Sequence, residues 1–145
     1  MGCDIHMFVE VKVRGTWQLY SCPRIQRNYD LFYFLAGVRG PRHDQNIPMG
    51  EAKGLPEDLS ELVKIEYNYD QGDAHSESWL NREEIEQMCQ FADKFVCKWP
   101  GQFEHEQLGY ANGNPFSSIG DGDEEDDAGH PSLYQDCRIV FWFDN

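Results

Sequence analysis

The chain has 145 residues, of which 40% are apolar and 14% aromatic; that is one ordinary domain with a core of its own, and the composition excludes a disordered chain. Twelve Lys+Arg against twenty-six Asp+Glu leave a net charge of −14, which argues against direct binding to nucleic acid or an anionic membrane, because phosphate neutralisation needs cationic side chains. A small anionic ligand held by a local arginine cluster, a bound cation or a basic protein partner stays open.

The opening Met1-Gly2-Cys3-Asp4-Ile5-His6 has no basic stretch before an apolar run, so no secretory signal is expected. No run of about 18 apolar residues is present, so no membrane-spanning helix is expected either. Position 6 is His where a myristoylation motif needs Ser or Thr. The five cysteines (Cys3, Cys22, Cys89, Cys97, Cys137) are scattered, odd in number and free of any Cys-x-x-Cys. A disulfide framework or four-thiolate zinc site is not expected, and the chain reads as a reduced, cytoplasmic protein.

Residues 3–13 alternate. Cys3, Ile5, Met7, Val9, Val11 and Val13 take one face and Asp4, His6, Phe8, Glu10 and Lys12 the other, the pattern of a strand with one face on a core. Arg14-Gly15 turns the chain, and Thr16–Tyr20 returns as a hairpin partner. Asn28 suits a helix N-cap, Asp30 the positive end of the dipole and Gly40 the exit, so a well-buried first helix is predicted between them. Its apolar positions are Leu31, Phe32, Phe34, Leu35 and Val38.

Pro56 at a first turn, with Leu59, Leu62, Val63 and Tyr67 at helical spacing, predicts a surface helix over about 56–67. A loop is predicted over 68–78. Asn81 followed by Glu84 is close to a capping box, and Ile85, Met88, Cys89, Ala92, Phe95 and Val96 form the stripe of a third helix. The stretch 100–136 is turn and loop chemistry, an irregular loop or lid. Its acidic run Asp121–Asp127 fails as an EF-hand, with Asp126 where Gly is required and Ser132 where Glu is required. It reads as a solvated loop, the alternative being a charge mimic of DNA. Arg138–Phe143, apolar on both faces, predicts a central strand. The order β-β-α-α-α-β predicts a single α+β domain over 1–145, with about three helices against a small, mostly antiparallel sheet.

Asp-x-His occurs twice, as Asp4-Ile5-His6 and Asp73-Ala74-His75. Two residues apart on a strand, Asp4 and His6 share a face about 7 Å apart at the backbone. A carboxylate and an imidazole there suit a divalent ion, and a second pair completes three or four ligands around an activated water. The plainer alternative has His6 hydrogen-bonded to Asp4 on a half-buried strand, with Asp73 and Ser76 capping a turn. Ser76 and Ser78, before a helix start, suit an anion or simply satisfy backbone donors. Arg24, Arg27, Arg39 and Arg42 fall within nineteen positions. Guanidinium groups grip phosphate, and Tyr29 and Tyr33 suit stacking on a base, unless Arg27 and Arg39 merely pair with acids around the first helix. Cys3 and Cys89 read as core.

The opening hexapeptide, Arg27–Phe32, Ala36–Arg39, Gly54–Pro56, Asp73–Leu80 and Val140–Asn145 together resemble a family of small uncharacterised proteins from phage and prophage genomes. The resemblance covers almost the whole chain. It implies a cytosolic accessory protein made inside an infected bacterium, a class that often handles nucleotides or blunts host defence.

The expectation from these residues is a nucleotide-type ligand site. Asp4, His6, Asp73 and His75 hold a divalent metal, His6 and His75 act in catalysis, and Arg27, Arg39, Tyr29, Ser76 and Ser78 hold the ligand. With an activated water this is a phosphoesterase acting on a nucleotide such as a host defence signal; without one it is a sponge that sequesters the nucleotide. The competing expectation is an acidic interaction protein that inhibits a host defence or nucleic-acid-binding protein.

Overall fold

The computed structural model describes residues 2–23, 25, 27–40, 49–94 and 136–145. Most of the stretch 100–136, with its acidic run, lies outside the described residues, as do Arg24, Arg42, Phe95 and Val96.

The expected alternation builds β1 (Asp4–Val13), and the hairpin returns as β2 (Thr16–Ser21). Arg14 (φ 52°) and Gly15 (φ 81°) both take the left-handed backbone that a two-residue hairpin turn requires. α1 (Tyr29–Ala36) starts where Asn28 Oδ1 accepts the backbone N–H groups of Asp30 and Leu31 at 3.1 and 3.2 Å. It ends at Gly37, not Gly40. Gly37 is left-handed (φ 71°) and its N–H reaches the Tyr33 carbonyl at 2.8 Å, which turns Val38 back into the core.

α2 (Glu61–Asp70) starts five residues later than its proline suggests and ends three later. The reason is tertiary. Glu10 Oε2 accepts the Ser60 N–H at 2.8 Å, and Leu59 is drawn into the core, so residues 56–60 stay non-helical. The predicted loop over 68–78 is a correction too, because β3 (Ala74–Leu80) is a strand. Its register slips between His75 and Ser78, with Ser76 at φ 55°, and that bulge breaks the alternation by which a strand is read. α3 (Arg82–Lys94) carries the expected box: Glu84 N–H donates to Asn81 Oδ1 at 2.9 Å, and Asn81 N–H to Glu84 Oε1 at 3.1 Å. β4 (Asp136–Asp144) is the predicted inner strand.

The architecture is α+β. Four strands form one antiparallel sheet in the order β2-β1-β4-β3. One face packs Ile5, Met7, Val9, Ile139, Phe141 and Phe143 against Leu31, Phe32 and Leu35 of α1 and Ile85, Met88 and Phe91 of α3. The opposite face of β1, which carries Asp4, His6, Glu10 and Lys12, is also buried in its middle. Phe8, Val140 and Trp142 pack there against Leu59 and Val63 beneath α2. Among the described residues no helix is long and apolar enough to cross a membrane.

Within that second layer lie two charges. Glu10 is fully buried and Arg138 is 4% exposed, and they face each other in register across β1 and β4. Arg138 Nε donates to Glu10 Oε1 at 2.6 Å, Nη1 to Asp58 Oδ1 at 2.7 Å, and Nη2 to the Asp58 carbonyl at 3.1 Å. With the Ser60 N–H on the other Glu10 oxygen, both carboxylate oxygens are occupied. Removing one member strands the other in the core, so Glu10→Ala is expected to cost about 3–5 kcal/mol in urea unfolding. Replacing both Glu10 and Arg138 by Met is expected to cost less than that single change, because no buried charge is then left alone.

Candidate functional site

Pairing parity decides where the predicted residues go. His6 opposes Trp142, and its ring stacks on that indole at 6.0 Å, in the α2 layer. Its Nε2 lies 2.6 Å from Asp144 Oδ2 and its Nδ1 3.5 Å from Asp70 Oδ2. Trp142 Nε1 donates to the same Asp70 oxygen at 3.3 Å. His6 therefore ties the last residue of α2 to the last residue of β4. Asp4, on the same face of β1, turns its carboxylate to Arg27, which donates to both oxygens at 2.6 and 3.0 Å. Those hydrogen bonds hold the Asp4 carboxyl below its usual range.

His75 goes the other way. It opposes Phe143 and stacks on it at 6.1 Å, in the α1 and α3 layer. Its Nδ1 lies 3.1 Å from Ser76 Oγ, and Nε2 is buried without a partner among the described residues. The sheet thus stands between His6 and His75, and the two Asp-x-His pairs do not converge on one ion. Asp73 sits exposed in the turn before β3, its N–H on the Asp70 carbonyl at 2.9 Å. Among the described residues no three His, Cys, Asp or Glu side chains stand as a metal-ligand group.

The predicted ligand residues divide similarly. Tyr29 accepts the Cys3 N–H at 3.3 Å, and the Arg39 guanidinium lies 5.8 Å from the Tyr29 ring and bonds Asn145 at 3.4 Å. Arg27, Tyr29 and Arg39 do gather at the start of β1, on residues of the fold itself. Ser78 is buried, and its hydroxyl accepts the Lys53 N–H at 3.0 Å. Cys3 is core, as read, and burial pushes its thiol up, against a thiolate role.

Among the described residues a recess with room for a ligand lies elsewhere on the α2 face, at the opposite end of β1 from His6. It is an open cleft of about 740 Å³, within the size range of small-molecule sites. Trp17 on the edge strand β2 and Trp79 on the edge strand β3 both line it, with Lys12, Lys53, Arg138 and Asp58. Arg138 lies 4.0 Å over the Trp17 ring, and Lys53 lies 3.8 Å over the Trp79 ring. Lys53 also pairs with Glu84 at 2.6 Å. Lys12 lies 5.8 Å from Trp17, with no carboxylate partner among the described residues. Hydrogen bonds from Arg138 hold the Asp58 carboxyl below its usual range, with a smaller effect from the Trp17 side chain. The sequence carried part of this: Lys12 lies on the His6 face of β1, and Trp17 faces Lys12 across the hairpin. Trp79 had no place in it, because its strand was not legible.

Comparison with known proteins yields no matching family model, no matching curated protein and no matching solved structure. The chemistry must be read from the residues.

His6→Ala is expected to lower stability by about 1.5–3 kcal/mol, the worth of a hydrogen bond to a charged group, in denaturant unfolding at neutral pH. His75→Ala, which removes no bond to a carboxylate, is expected to cost less. Asp58 sets an acid limb. Its folded pKa lies below the ordinary 3.8, so its ionised form contributes stability in full above that value, and the contribution is lost as pH falls through the folded value. Asp58→Asn is expected to lower the melting temperature at neutral pH and to flatten its fall below pH 3.8.

Proposed function

We propose that the protein binds a small, nucleotide-type ligand in the Trp17–Trp79 cleft, a flat ring stacking on indole and an anionic group meeting Lys12 and Lys53. One observation carries the reading. In a chain of net charge −14, the cleft sets three cations and two tryptophans against the carboxylates of Glu57, Asp58 and Asp136, of which Asp58 is bonded to Arg138 and Asp136 is paired with Arg82. Indoles stack on any nucleobase because every base has a π-face, and ammonium groups suit phosphate. The ligand class is the one expected from the sequence, at a different address.

Sequestration fits better than hydrolysis. The acid, base and metal roles rested on His6 and His75 acting together, and those residues lie on opposite faces of the sheet. A cytosolic setting fits the free thiols of Cys3, Cys22 and Cys137.

The test is calorimetric titration with a panel of nucleoside mono- and diphosphates and cyclic dinucleotides, with chromatography of the mixture for product. Stoichiometric binding without turnover is expected. Trp17→Ala or Trp79→Ala is expected to weaken it by about 1–3 kcal/mol, roughly 5- to 150-fold, with Lys12→Ala weakening phosphorylated ligands more than their nucleosides. Failure of a folded protein to bind any member of the panel would overturn the reading.

A further inference from the structure

Trp17 and Trp79 line one cleft, but they stand on β2 and β3, the two end strands of the described sheet. Three strand spacings of about 4.8 Å therefore separate their backbones sideways. Trp17 pairs with Lys12, whereas Trp79 pairs with Val140, which in turn pairs with Phe8. The two rows are thus four residues apart along β1, about 13 Å at the rise of a strand. The diagonal between the two backbones is roughly 19 Å. A single ring stacked on both indoles would need each of them about 4.5 Å from its own centre.

Indoles that lean inward shorten that diagonal, but a fixed group stands on it. Arg138 is rooted on β4 in the Glu10 row, between the Lys12 and Phe8 rows and between the two end strands. Its guanidinium lies 4.0 Å over the Trp17 ring and is held there by Glu10 and Asp58. A ring wedged between the indoles would displace it and leave the buried Glu10 carboxylate without its cation. Each indole is thus a platform of its own, and each has its own ammonium group. Lys12, directly across the hairpin, lies 5.8 Å from Trp17, and Lys53 lies 3.8 Å over Trp79 while pairing with Glu84. Of the carboxylates in the cleft, Asp58 is on Arg138, Asp136 is on Arg82, and Glu57 is exposed. The cleft holds the same two groups twice, a flat apolar ring with a cation beside it.

We propose that the cleft takes one ligand with two bases, a dinucleotide, with one base stacked on Trp17 and its phosphate at Lys12, and the other base stacked on Trp79 and its phosphate at Lys53. This rests on the ligand reading above and adds to it the number of rings the site accepts. The two bases are splayed, each on its own indole, as single-stranded nucleotides are held on separate aromatic platforms. The covalent link between them makes the second contact intramolecular, so a dinucleotide gains over a mononucleotide without any contact that the mononucleotide lacks at its own platform.

Calorimetric titration of the full chain with adenosine monophosphate, and separately with the 5′-phosphorylated dinucleotide pApA, tests it. Two mononucleotides per chain but one dinucleotide per chain are expected, the dinucleotide binding at least about tenfold more tightly. Trp17→Ala and Trp79→Ala, each checked for folding by its melting curve, are each expected to remove one mononucleotide site, keep the other, and bring the dinucleotide down to mononucleotide affinity. The comparison of the two probes on the unmodified chain decides the matter even where a variant does not fold. One mononucleotide per chain, or a dinucleotide no tighter than the mononucleotide, would overturn the two-base proposal and leave the ligand reading standing. Loss of both mononucleotide sites in a folded single variant would overturn it in the same way. Binding of neither probe by the folded chain would overturn it too, and the ligand reading falls with it when the wider nucleotide panel also fails to bind.

Discussion

The Glu10–Arg138 pair sits in the layer between the sheet and α2, and much of the molecule is arranged around it. Burying two charges costs several kcal/mol per ion, recovered only where every polar atom finds a partner. Here the partners come from three places: β1, β4, and the 58–60 segment that leads into α2. The pair thereby sets where α2 begins. It also holds Asp58 and Arg138 in the cleft beside Trp17, so the cleft is the solvent-side continuation of a core constraint.

The two ends of the α2 face then have different characters. At one end His6, Asp70, Asp144 and Trp142 satisfy one another, and Asp4 is taken by Arg27. Such a cluster spends its hydrogen-bonding capacity on the fold, tying the helix end to two strand ends. At the other end the two edge strands each project a tryptophan, and Lys12 carries no carboxylate partner among the described residues. Ligand recognition needs groups whose partners are still to come, and that separates the second place from the first.

Local physics made half of this legible in the chain itself. A period of two fixes β1, a left-handed pair of residues fixes its hairpin, and the Asn28 cap and the Asn81–Glu84 box fix the starts of α1 and α3. Each signal is complete within a few residues, so no distant contact was needed to read it. The apolar run Arg138–Phe143 likewise announced a strand buried on both faces.

The remainder was decided by residues far apart in the chain. Glu10 moves the start of α2 from 50 positions away. β3 is polar and bulged, and it becomes a strand because β4 offers it an edge to pair with. That pairing also sets its parity: His75 joins Phe143 on one face, while His6 joins Trp142 on the other. Asp-x-His as a sequence motif states which residues are neighbours on a strand, but it cannot state which side of a sheet a second strand will present. Sequence alone therefore determined β1 and its hairpin, the starts of α1 and α3, the inner strand β4 and the acidic character of the chain. The tertiary structure decided which side chains meet, because in a sheet a shift of one residue in register exchanges the two faces.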